Sequence, residues 1–267
     1  MTDVGVIGAG RMGRPIIGHL ARKGVRTSVY DIDGGKRASV EQCGAQWAAD
    51  LPALAAASDV MLVCVGYDEE VRALFPQLAP AARPGAIVAV LSTVHPQTVQ
   101  DLATTYAPRE LAVVDATMCR GGRAADEGTL LCFVGGDVAT VRRLRPVLGA
   151  FASDIVPTGA VGSAQVAKAA NNLILWACLV ADHEALALAQ CHGLDVEALR
   201  RALGISSAAN DALAKWGTQT MAWAEDDMAI IAEMARECRL RLPQTQVTRE
   251  ICRVLKPHRY QLDKYGR

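Results

Sequence analysis

The most constraining feature of this sequence is a glycine-rich turn close to its first residue. Three glycines in the run Gly8-Ala9-Gly10-Arg11-Met12-Gly13 follow an apolar segment, Val4–Ile7, and precede residues with helical apolar spacing. Such glycines permit a tight strand-to-helix turn and close approach of the backbone to a pyrophosphate, which the helix N-terminus stabilises. Asp31 follows the next strand-like segment, at the ~20-residue spacing expected of a ribose-binding acid. The pattern predicts a dinucleotide-binding βαβ unit, with a tight turn plus a surface aspartate as the alternative.

Asp31 also favours one form of the dinucleotide. Its carboxylate can accept hydrogen bonds from the adenosine ribose hydroxyls, and its charge repels a 2′-phosphate. Lys36 and Arg37 follow a few residues later and could bind a phosphate, but we expect them to form a solvated helix end. The sequence therefore predicts NAD as the cofactor, in preference to NADP.

Short β-rich segments alternate with helical ones up to residue 160. The predicted strands are continuously apolar, which is typical of parallel strands covered by helices on both faces. They lie at Val4–Ile7, Thr27–Tyr30, Val60–Val65, Ala86–Leu91, Ala112–Val114 and Leu130–Val134. The predicted fold class is α/β, with a Rossmann-type, doubly wound, mostly parallel sheet in a dinucleotide-binding domain of residues 1–160.

The pattern becomes helical in the remaining residues, 161–267. Helical spacing without an internal Pro or Gly extends from Gly162 to about Gly193 and predicts one long interdomain helix. Shorter helices are predicted at 195–204, 208–224, 226–239 and 244–256. These residues are predicted to form an all-helical domain for substrate binding and dimerisation.

Composition and charge argue against several classes of function. The 28 basic and 28 acidic residues balance, and only 4% of residues are aromatic, so nucleic acid is not a predicted partner. No apolar run is expected to reach the ~20 residues that span a membrane, and no signal peptide is expected before Val4. The eight cysteines lack metal-type spacing, so we predict no metal site and a reducing, cytoplasmic location.

A second polar motif lies at the start of the predicted long helix. Lys168, Asn171 and Asn172 share one helix face by i, i+3 and i+4 spacing, with Gln165 one turn earlier. Asparagine inside a helix is unfavourable, so two in succession beside a lysine suggest a function. A polar stripe that faces solvent or a cleft between domains is the alternative.

These motifs belong to a set that occurs in one order along nearly the whole chain. The others are Leu91-Ser-Thr93-Val-His-Pro96, Asp115-Ala116, Glu127-Gly-Thr-Leu130 and Val134-Gly-Gly136. In this set the sequence resembles the β-hydroxyacid dehydrogenase family, which contains 3-hydroxyisobutyrate dehydrogenase, tartronate semialdehyde reductase and, more remotely, 6-phosphogluconate dehydrogenase. Many enzymes share the glycine-rich turn, whereas the lysine–asparagine helix is much more specific.

The resemblance implies a reaction and roles for particular residues. Lys168 matches the catalytic lysine, which exchanges a proton with the substrate hydroxyl while hydride passes between the same carbon and a nicotinamide. A desolvated cleft that lowers the lysine pKa from ~10.4 toward neutrality would suit this role. Asn172 matches an asparagine that contacts the substrate, and we expect Asn171 beside it to contribute. The expected cofactor-binding residues are Gly8, Ala9, Gly10, Arg11, Met12, Gly13 and Asp31, together with Val65, Gly66 and Thr93, which match positions lining the nicotinamide half.

The expected substrate segment departs from the family pattern. Members commonly have Ser-Gly-Gly, which holds the substrate carboxylate, whereas this chain has Cys119 at the serine and Arg120 at the first glycine, before Gly121. We expect Arg120 to anchor the anionic substrate by a bidentate, charge-assisted contact. The competing interpretation pairs Arg120 with Asp226, which replaces the lysine of the family's Lys-Asp-Leu. The helical domain also looks shortened just before Trp223.

Three functions therefore compete. The first is an NAD-dependent oxidoreductase that interconverts a small anionic 3-hydroxy acid and its semialdehyde or keto form. An imine reductase would share the fold, but such enzymes generally lack a lysine at the position of Lys168. A catalytically silent NAD-binding protein is compatible with Cys119 and Asp226.

The long helix also predicts an oligomeric state. Apolar residues spread around much of its surface, and a helix that is apolar on more than one face must be buried on more than one face. These residues are Leu173, Ile174, Trp176, Leu179, Val180, Leu186 and Leu188. We therefore expect a homodimer with this helix in or beside the interface, as the family resemblance also implies.

Overall fold

The computed structural model describes residues 2–266 and divides into two compact units between Lys168 and Ala169. The first unit contains the sheet, and the second is helical. The predicted boundary at residue 160 lies inside the first unit. The first unit extends further because the first turns of a long helix, α8 (Ser163–Cys191), are hydrogen-bonded into it.

Eight strands of the first unit form one sheet in the order β3-β2-β1-β4-β5-β6-β7-β8. Their bounds are β1 Val4–Ile7, β2 Thr27–Tyr30, β3 Gln46–Trp47, β4 Val60–Val63, β5 Ile87–Val90, β6 Ala112–Cys119, β7 Leu130–Gly135 and β8 Ala152–Gly159. Every neighbouring pair is parallel except β6 with β7. The predicted α/β class with a doubly wound, mostly parallel sheet is confirmed.

The sequence pattern does not predict the two edge strands. β3 pairs with β2 through two residues, and β8 is mostly exposed, so neither has a continuous apolar run. β6 also continues beyond its predicted end at Val114, through Asp115 and Thr117. Both side chains are fully buried, but because they are polar they interrupt the apolar run from which the strand was predicted.

Helices cover both faces of the sheet. Their bounds are α1 Gly13–Arg22, α2 Arg37–Gln42, α3 Leu51–Ala57, α4 Asp68–Leu78, α5 Pro96–Tyr106, α6 Gly121–Glu127 and α7 Val138–Leu148. Because side chains alternate along a strand, Leu62 joins a core with α1, α2, α6 and α7, whereas its neighbours Met61 and Val63 join a core with α3, α4 and α5. The two buried cores explain why the central strands read as continuously apolar.

In the second unit, residues 169–266 contain the rest of α8 and four further α-helices. They are α9 Val196–Leu203, α10 Asp211–Ala214, α11 Ala224–Glu237 and α12 Pro243–Leu255. The predicted helix at 208–224 is wrong, since only α10 forms there. The Asn210 side chain caps its start, and Gly217 and Met221 adopt positive φ beyond its end, where a right-handed helix cannot continue.

Helix α8 corrects the expectation that no apolar run is long enough to span a membrane. By length and composition it could cross a membrane, a test that the core helices of folded proteins also meet. Within the helix, Leu179 and Leu186 are fully buried, whereas Ile174 and Leu188 are exposed. Its apolar surface is thus partly inside and partly outside the fold.

Candidate active site

The predicted cofactor-binding residues lie just after the carboxyl ends of strands β1, β2, β4 and β5. β1, β2, β4, β5 and β6 run parallel, so their carboxyl ends lie along one edge of the sheet. Strand order reverses between β1 and β4, and ligands of doubly wound sheets bind outside the carboxyl edge at such a reversal. The glycine-rich turn follows β1, and Val65 and Gly66 follow β4, so both flank the reversal.

The glycine-rich turn has the shape that a pyrophosphate requires. A Cβ at Gly8 would collide with the Cys64 carbonyl oxygen, and one at Gly13 would collide with that of Gly8. Around Gly10, in contrast, no atom would lie within 4 Å of an added Cβ, so its backbone is open to a ligand. Helix α1 starts without a side-chain cap from Met12 and without an acidic residue in its first turn. Its positive end therefore suits an anion, and the turn fits the cofactor's phosphates.

Asp31 is buried, with an exposed fraction of 8%, and its carboxylate is heavily hydrogen-bonded. Oδ2 accepts from the Ala9 amide at 2.7 Å, and Oδ1 accepts from the Asp33 amide at 2.9 Å. Lys36 Nζ lies 3.1 Å from Oδ1 and 2.9 Å from Oδ2. Burial alone raises the pKa of Asp31, but these amides and the ammonium together hold that pKa below its ordinary value.

Lys36 therefore differs from the solvated helix end that the sequence suggested. Its ammonium pairs with the expected ribose acid, whereas Arg37 does lie at the surface and pairs with Glu41. A carboxylate offers about four lone-pair positions, so its four contacts occupy Asp31 fully. The expected ribose acid is thus paired with an ammonium, which offsets part of the negative charge that would repel a 2′-phosphate.

The loops after β4 and β5 are tied to each other. The Ser92 hydroxyl donates to the Val65 carbonyl at 2.8 Å and lies 3.0 Å from the Val65 amide. The Gly66 amide donates to Glu70 in α4 at 2.9 Å. Thr93 is half-buried directly after Ser92. Val65, Gly66 and Thr93 thus lie in two linked loops at the carboxyl edge.

Asp115 in β6 holds the start of helix α8. Its carboxylate accepts from the Gly162 amide at 2.8 Å and from the Gln165 amide at 3.0 Å. Burial raises the pKa of Asp115 above its ordinary value, although these amides favour the charged form. A Cβ at Gly135 would collide with the same carboxylate, so the neighbouring strand needs glycine there. Sequence analysis did not assign this role, and the available signal was a lone acid directly after the apolar run Ala112–Val114.

Lys168 lies in the same first unit, one turn further along α8. Its Nζ donates to the carbonyl oxygen of Met118 at 2.7 Å. Met118 directly precedes Cys119, the last residue of β6, which is buried. The structure therefore brings the predicted catalytic lysine to the predicted substrate segment.

Arg120 is held by neighbours that the sequence did not connect with it. Its Nη1 donates to Asp154 at 2.7 Å, to Ser153 at 2.9 Å and to the Thr129 carbonyl at 3.0 Å. Its backbone φ is +81°, in the left-handed region where glycine is favoured. The partner of Arg120 is thus Asp154 in β8, and its predicted contact with substrate stays a prediction. Gly121 follows with φ +74° and begins α6.

Arg11 connects the glycine-rich turn with the substrate segment. Its Nη1 and Nη2 donate to the two Asp126 oxygens at 2.8 and 2.7 Å. Its guanidinium also lies against Gly122, where an added Cβ would come within 3.0 Å of three of its atoms. The side chain of this expected cofactor residue therefore contacts α6.

Asn171 and Asn172 belong to the second unit. Asn172 is buried, and its side-chain oxygen accepts from the Asn171 amide group at 3.0 Å. Their predicted contacts with substrate stay predictions. Among residues 2–266, no group of three or more His, Cys, Asp or Glu side chains could hold a metal ion.

The doubly wound sheet and the glycine-rich turn together define a dinucleotide-binding protein. Residues 3–162 match the family model described as the NAD binding domain of 6-phosphogluconate dehydrogenase. Residues 162–264 match the model described as NAD-binding of NADP-dependent 3-hydroxyisobutyrate dehydrogenase. The chain belongs to the β-hydroxyacid dehydrogenase family, and it is an NAD(P)-dependent enzyme of that family.

Individual relatives agree with this assignment. The chain is 29% identical to 2-(hydroxymethyl)glutarate dehydrogenase of Eubacterium barkeri, over 93% of this chain and 87% of that protein. It is 30% identical to NAD-dependent L-serine dehydrogenase of Pseudomonas aeruginosa, over 80% of this chain and 72% of that protein. The structure of Mycobacterium tuberculosis 3-hydroxyisobutyrate dehydrogenase with L-serine has the same fold, with a TM-score of 0.89, 24% identity, and coverage of 96% of this chain and 94% of that one.

Proposed function

We propose that this protein interconverts a small 3-hydroxy acid and its semialdehyde or keto form, with NAD as the preferred cofactor and Lys168 as the general acid and base. The contact between Lys168 Nζ and the Met118 carbonyl oxygen, 2.7 Å, carries the proposal. It holds an amine at the segment expected to bind substrate, on a helix anchored by the buried Asp115.

The proposed chemistry requires one proton and one hydride to move. A bound nicotinamide would supply the acceptor for the hydride of the alcohol carbon in oxidation, and its reduced form would supply that hydride in reduction. In oxidation, Lys168 in its neutral form accepts the hydroxyl proton. In reduction, the ammonium donates a proton to the carbonyl oxygen. An ammonium has three protons and Met118 takes one, so others remain for the substrate oxygen.

The names of the relatives suggest the substrate class. 2-(Hydroxymethyl)glutarate, L-serine and 3-hydroxyisobutyrate all contain a primary alcohol on the carbon next to the one that bears a carboxylate. We infer that the substrate of this chain contains the same unit. The glycine amides of the substrate segment and the Arg120 guanidinium are the candidate anchors for its carboxylate.

The test is an NAD-coupled screen of small hydroxy acids and semialdehydes, run in parallel with NADP. On the best substrate, Lys168→Ala should lower kcat by roughly 10²–10⁴-fold, the usual contribution of acid–base catalysis. NAD affinity, measured by fluorescence titration, should barely change. Lys215→Ala is the matched control, because that lysine pairs with Asp211 at the surface of the second unit. Near-normal turnover in Lys168→Ala would reject the assigned base.

The same screen separates the alternatives. An imine reductase would reduce cyclic imines and leave hydroxy acids unchanged, whereas a silent NAD-binding protein would bind NAD and turn over neither. Lys168 is the residue that favours the dehydrogenase, since imine reductases generally lack it. The homodimer and the cytoplasmic location are also proposals. Light scattering at micromolar concentration tests the first, and a monomer would reject it.

A further inference from the structure

Gln165 is buried, with an exposed fraction of 2%, yet the acid–base chemistry proposed above does not use it. It lies in the first turn of α8, and its side-chain amide makes two hydrogen bonds outside the helix. Oε1 accepts from the Val94 amide at 3.1 Å, and Nε2 donates to the Ser92 carbonyl oxygen at 2.9 Å. Since one partner is a donor and the other an acceptor, only this orientation of the side-chain amide satisfies both.

These two bonds enclose Thr93. Ser92 and Val94 are its chain neighbours, so a single side chain restrains the loop after β5 on both sides of Thr93. The Ser92 hydroxyl continues the connection to Val65 at the end of the neighbouring strand. Gln165 therefore restrains the loop after β5, and the Ser92 hydroxyl ties that loop to the one after β4, so the restraint acts where the nicotinamide is expected.

The same residue also fixes the helix that carries Lys168. The Gln165 backbone amide donates to the buried Asp115 carboxylate at 3.0 Å. This backbone contact holds the start of α8 against β6 without help from the Gln165 side chain. Lys168 is three residues further along the helix, a spacing that makes the two side chains neighbours on the helix surface. A rigid helical turn thus separates the proposed base from the residue that binds the cofactor loop.

We propose that Gln165 is a positioning residue that sets the distance between the Lys168 amine and the nicotinamide-side loop Ser92–Val94. The proposal rests on the proposed function of Lys168. Hydride and proton transfer need the two groups in one geometry, and small misplacements can cost about 10²-fold in rate. If Gln165 had only a structural role, loss of its hydrogen bonds would lower stability alone. If it positions Lys168, their loss also lowers kcat in protein that is fully folded.

The primary variant is Gln165→Met, which keeps the length and apolar body of the side chain but removes both hydrogen bonds. We expect kcat to fall about 10- to 100-fold, with a smaller change in KM for NAD. Gln100→Met is the matched control. That glutamine donates to the Val161 carbonyl at 3.2 Å, beside the start of α8, but its side chain is exposed and binds the segment that leads into α8 and not the loop Ser92–Val94. It should retain wild-type kcat.

Hydrogen–deuterium exchange of the cofactor-free protein provides a readout that does not depend on activity. The Val94 amide should exchange faster in Gln165→Met and at the wild-type rate in Gln100→Met. Unchanged Val94 exchange, or equal kcat losses in the two variants, would overturn the proposal. If Lys168→Ala retains turnover while Val94 exchange responds as expected, the assigned base fails but the loop restraint stands, so the two failures are distinguishable.

A second variant keeps the proposal testable if Gln165→Met does not fold. In Gln165→Glu, an ionised carboxylate still accepts from Val94 but repels the Ser92 carbonyl oxygen. The protonated carboxyl again donates to that oxygen, and burial raises the pKa of an introduced carboxyl. The kcat of Gln165→Glu relative to wild type should therefore rise as the pH falls over a range where both proteins remain folded. A pH-independent ratio would contradict the positioning role.

Discussion

Arg120 provides a stability test in which the backbone and the side chain can be separated. The residue adopts φ +81°, and the left-handed region costs an L-residue roughly 1–2 kcal/mol relative to the ordinary helical region. Glycine has no such cost there, but it loses about 0.4–1 kcal/mol more backbone entropy on folding. Arg120→Gly and Arg120→Ala lose the same contacts with Asp154, Ser153 and Thr129. Their difference therefore isolates the backbone.

The free energy of unfolding of Arg120→Gly should exceed that of Arg120→Ala by about 1 kcal/mol. This difference is the backbone strain that glycine avoids minus the extra entropy that glycine loses on folding. That corresponds to a Tm higher by about 2–4 °C than that of Arg120→Ala. Urea and thermal unfolding of both variants, under the same conditions, measure this difference in stability.

The Ser153 hydroxyl and the Arg120 guanidinium hold the pKa of Asp154 below its ordinary value. The side-chain contribution should therefore fade in acid as Asp154 protonates, while the difference between the two variants persists. Equal stability, or a more stable alanine variant, would refute the reasoning.

Two further predictions concern the cofactor and the second unit. Lys36→Ala should increase the preference for NAD over NADP by about 10-fold in Kd, because it removes a charged hydrogen-bond donor from Asp31. Arg37→Ala, which removes an exposed ion pair with Glu41, should leave the preference for NAD over NADP unchanged. Equal effects of the two substitutions would reject a specific role for Lys36. His183 is fully buried, with Nδ1 2.7 Å from the Leu179 carbonyl and Nε2 accepting from the Tyr260 amide, which requires the neutral ring. Burial lowers the pKa of His183 from its ordinary 6.5, so the unfolded chain binds this proton more readily than the folded one. The contribution of His183 to the free energy of unfolding should be fully present above pH 6.5 and should be lost as the pH falls through the folded-state pKa. Urea unfolding across pH 5–8 should show this pH dependence in the wild type, and His183→Gln should lack it.

Local features of the sequence determined the framework. The strand, turn and helix around Gly8–Gly13 follow from apolar runs and glycines that are adjacent in the chain. The long helix follows from helical spacing that no Pro or Gly interrupts between Gly162 and Gly193, and its predicted extent agrees closely with Ser163–Cys191. Asp31, Lys168 and the asparagine pair were found because each lies at a fixed spacing from such a feature.

The tertiary structure decided how these residues are connected. The Gln165 side chain binds residues more than 70 positions away, and Asp115 binds amides about 50 positions away. Arg120, which follows β6, pairs with Asp154 in β8, on the far side of β7. Each contact depends on the strand order at the carboxyl edge, which spacing along the chain does not contain. Lys36 and Asp31 are close in sequence, whereas the Ala9 amide that binds the same carboxylate comes from the loop after β1. Periodicity specifies which face of an element is apolar, whereas hydrogen-bond partners depend on which elements become neighbours.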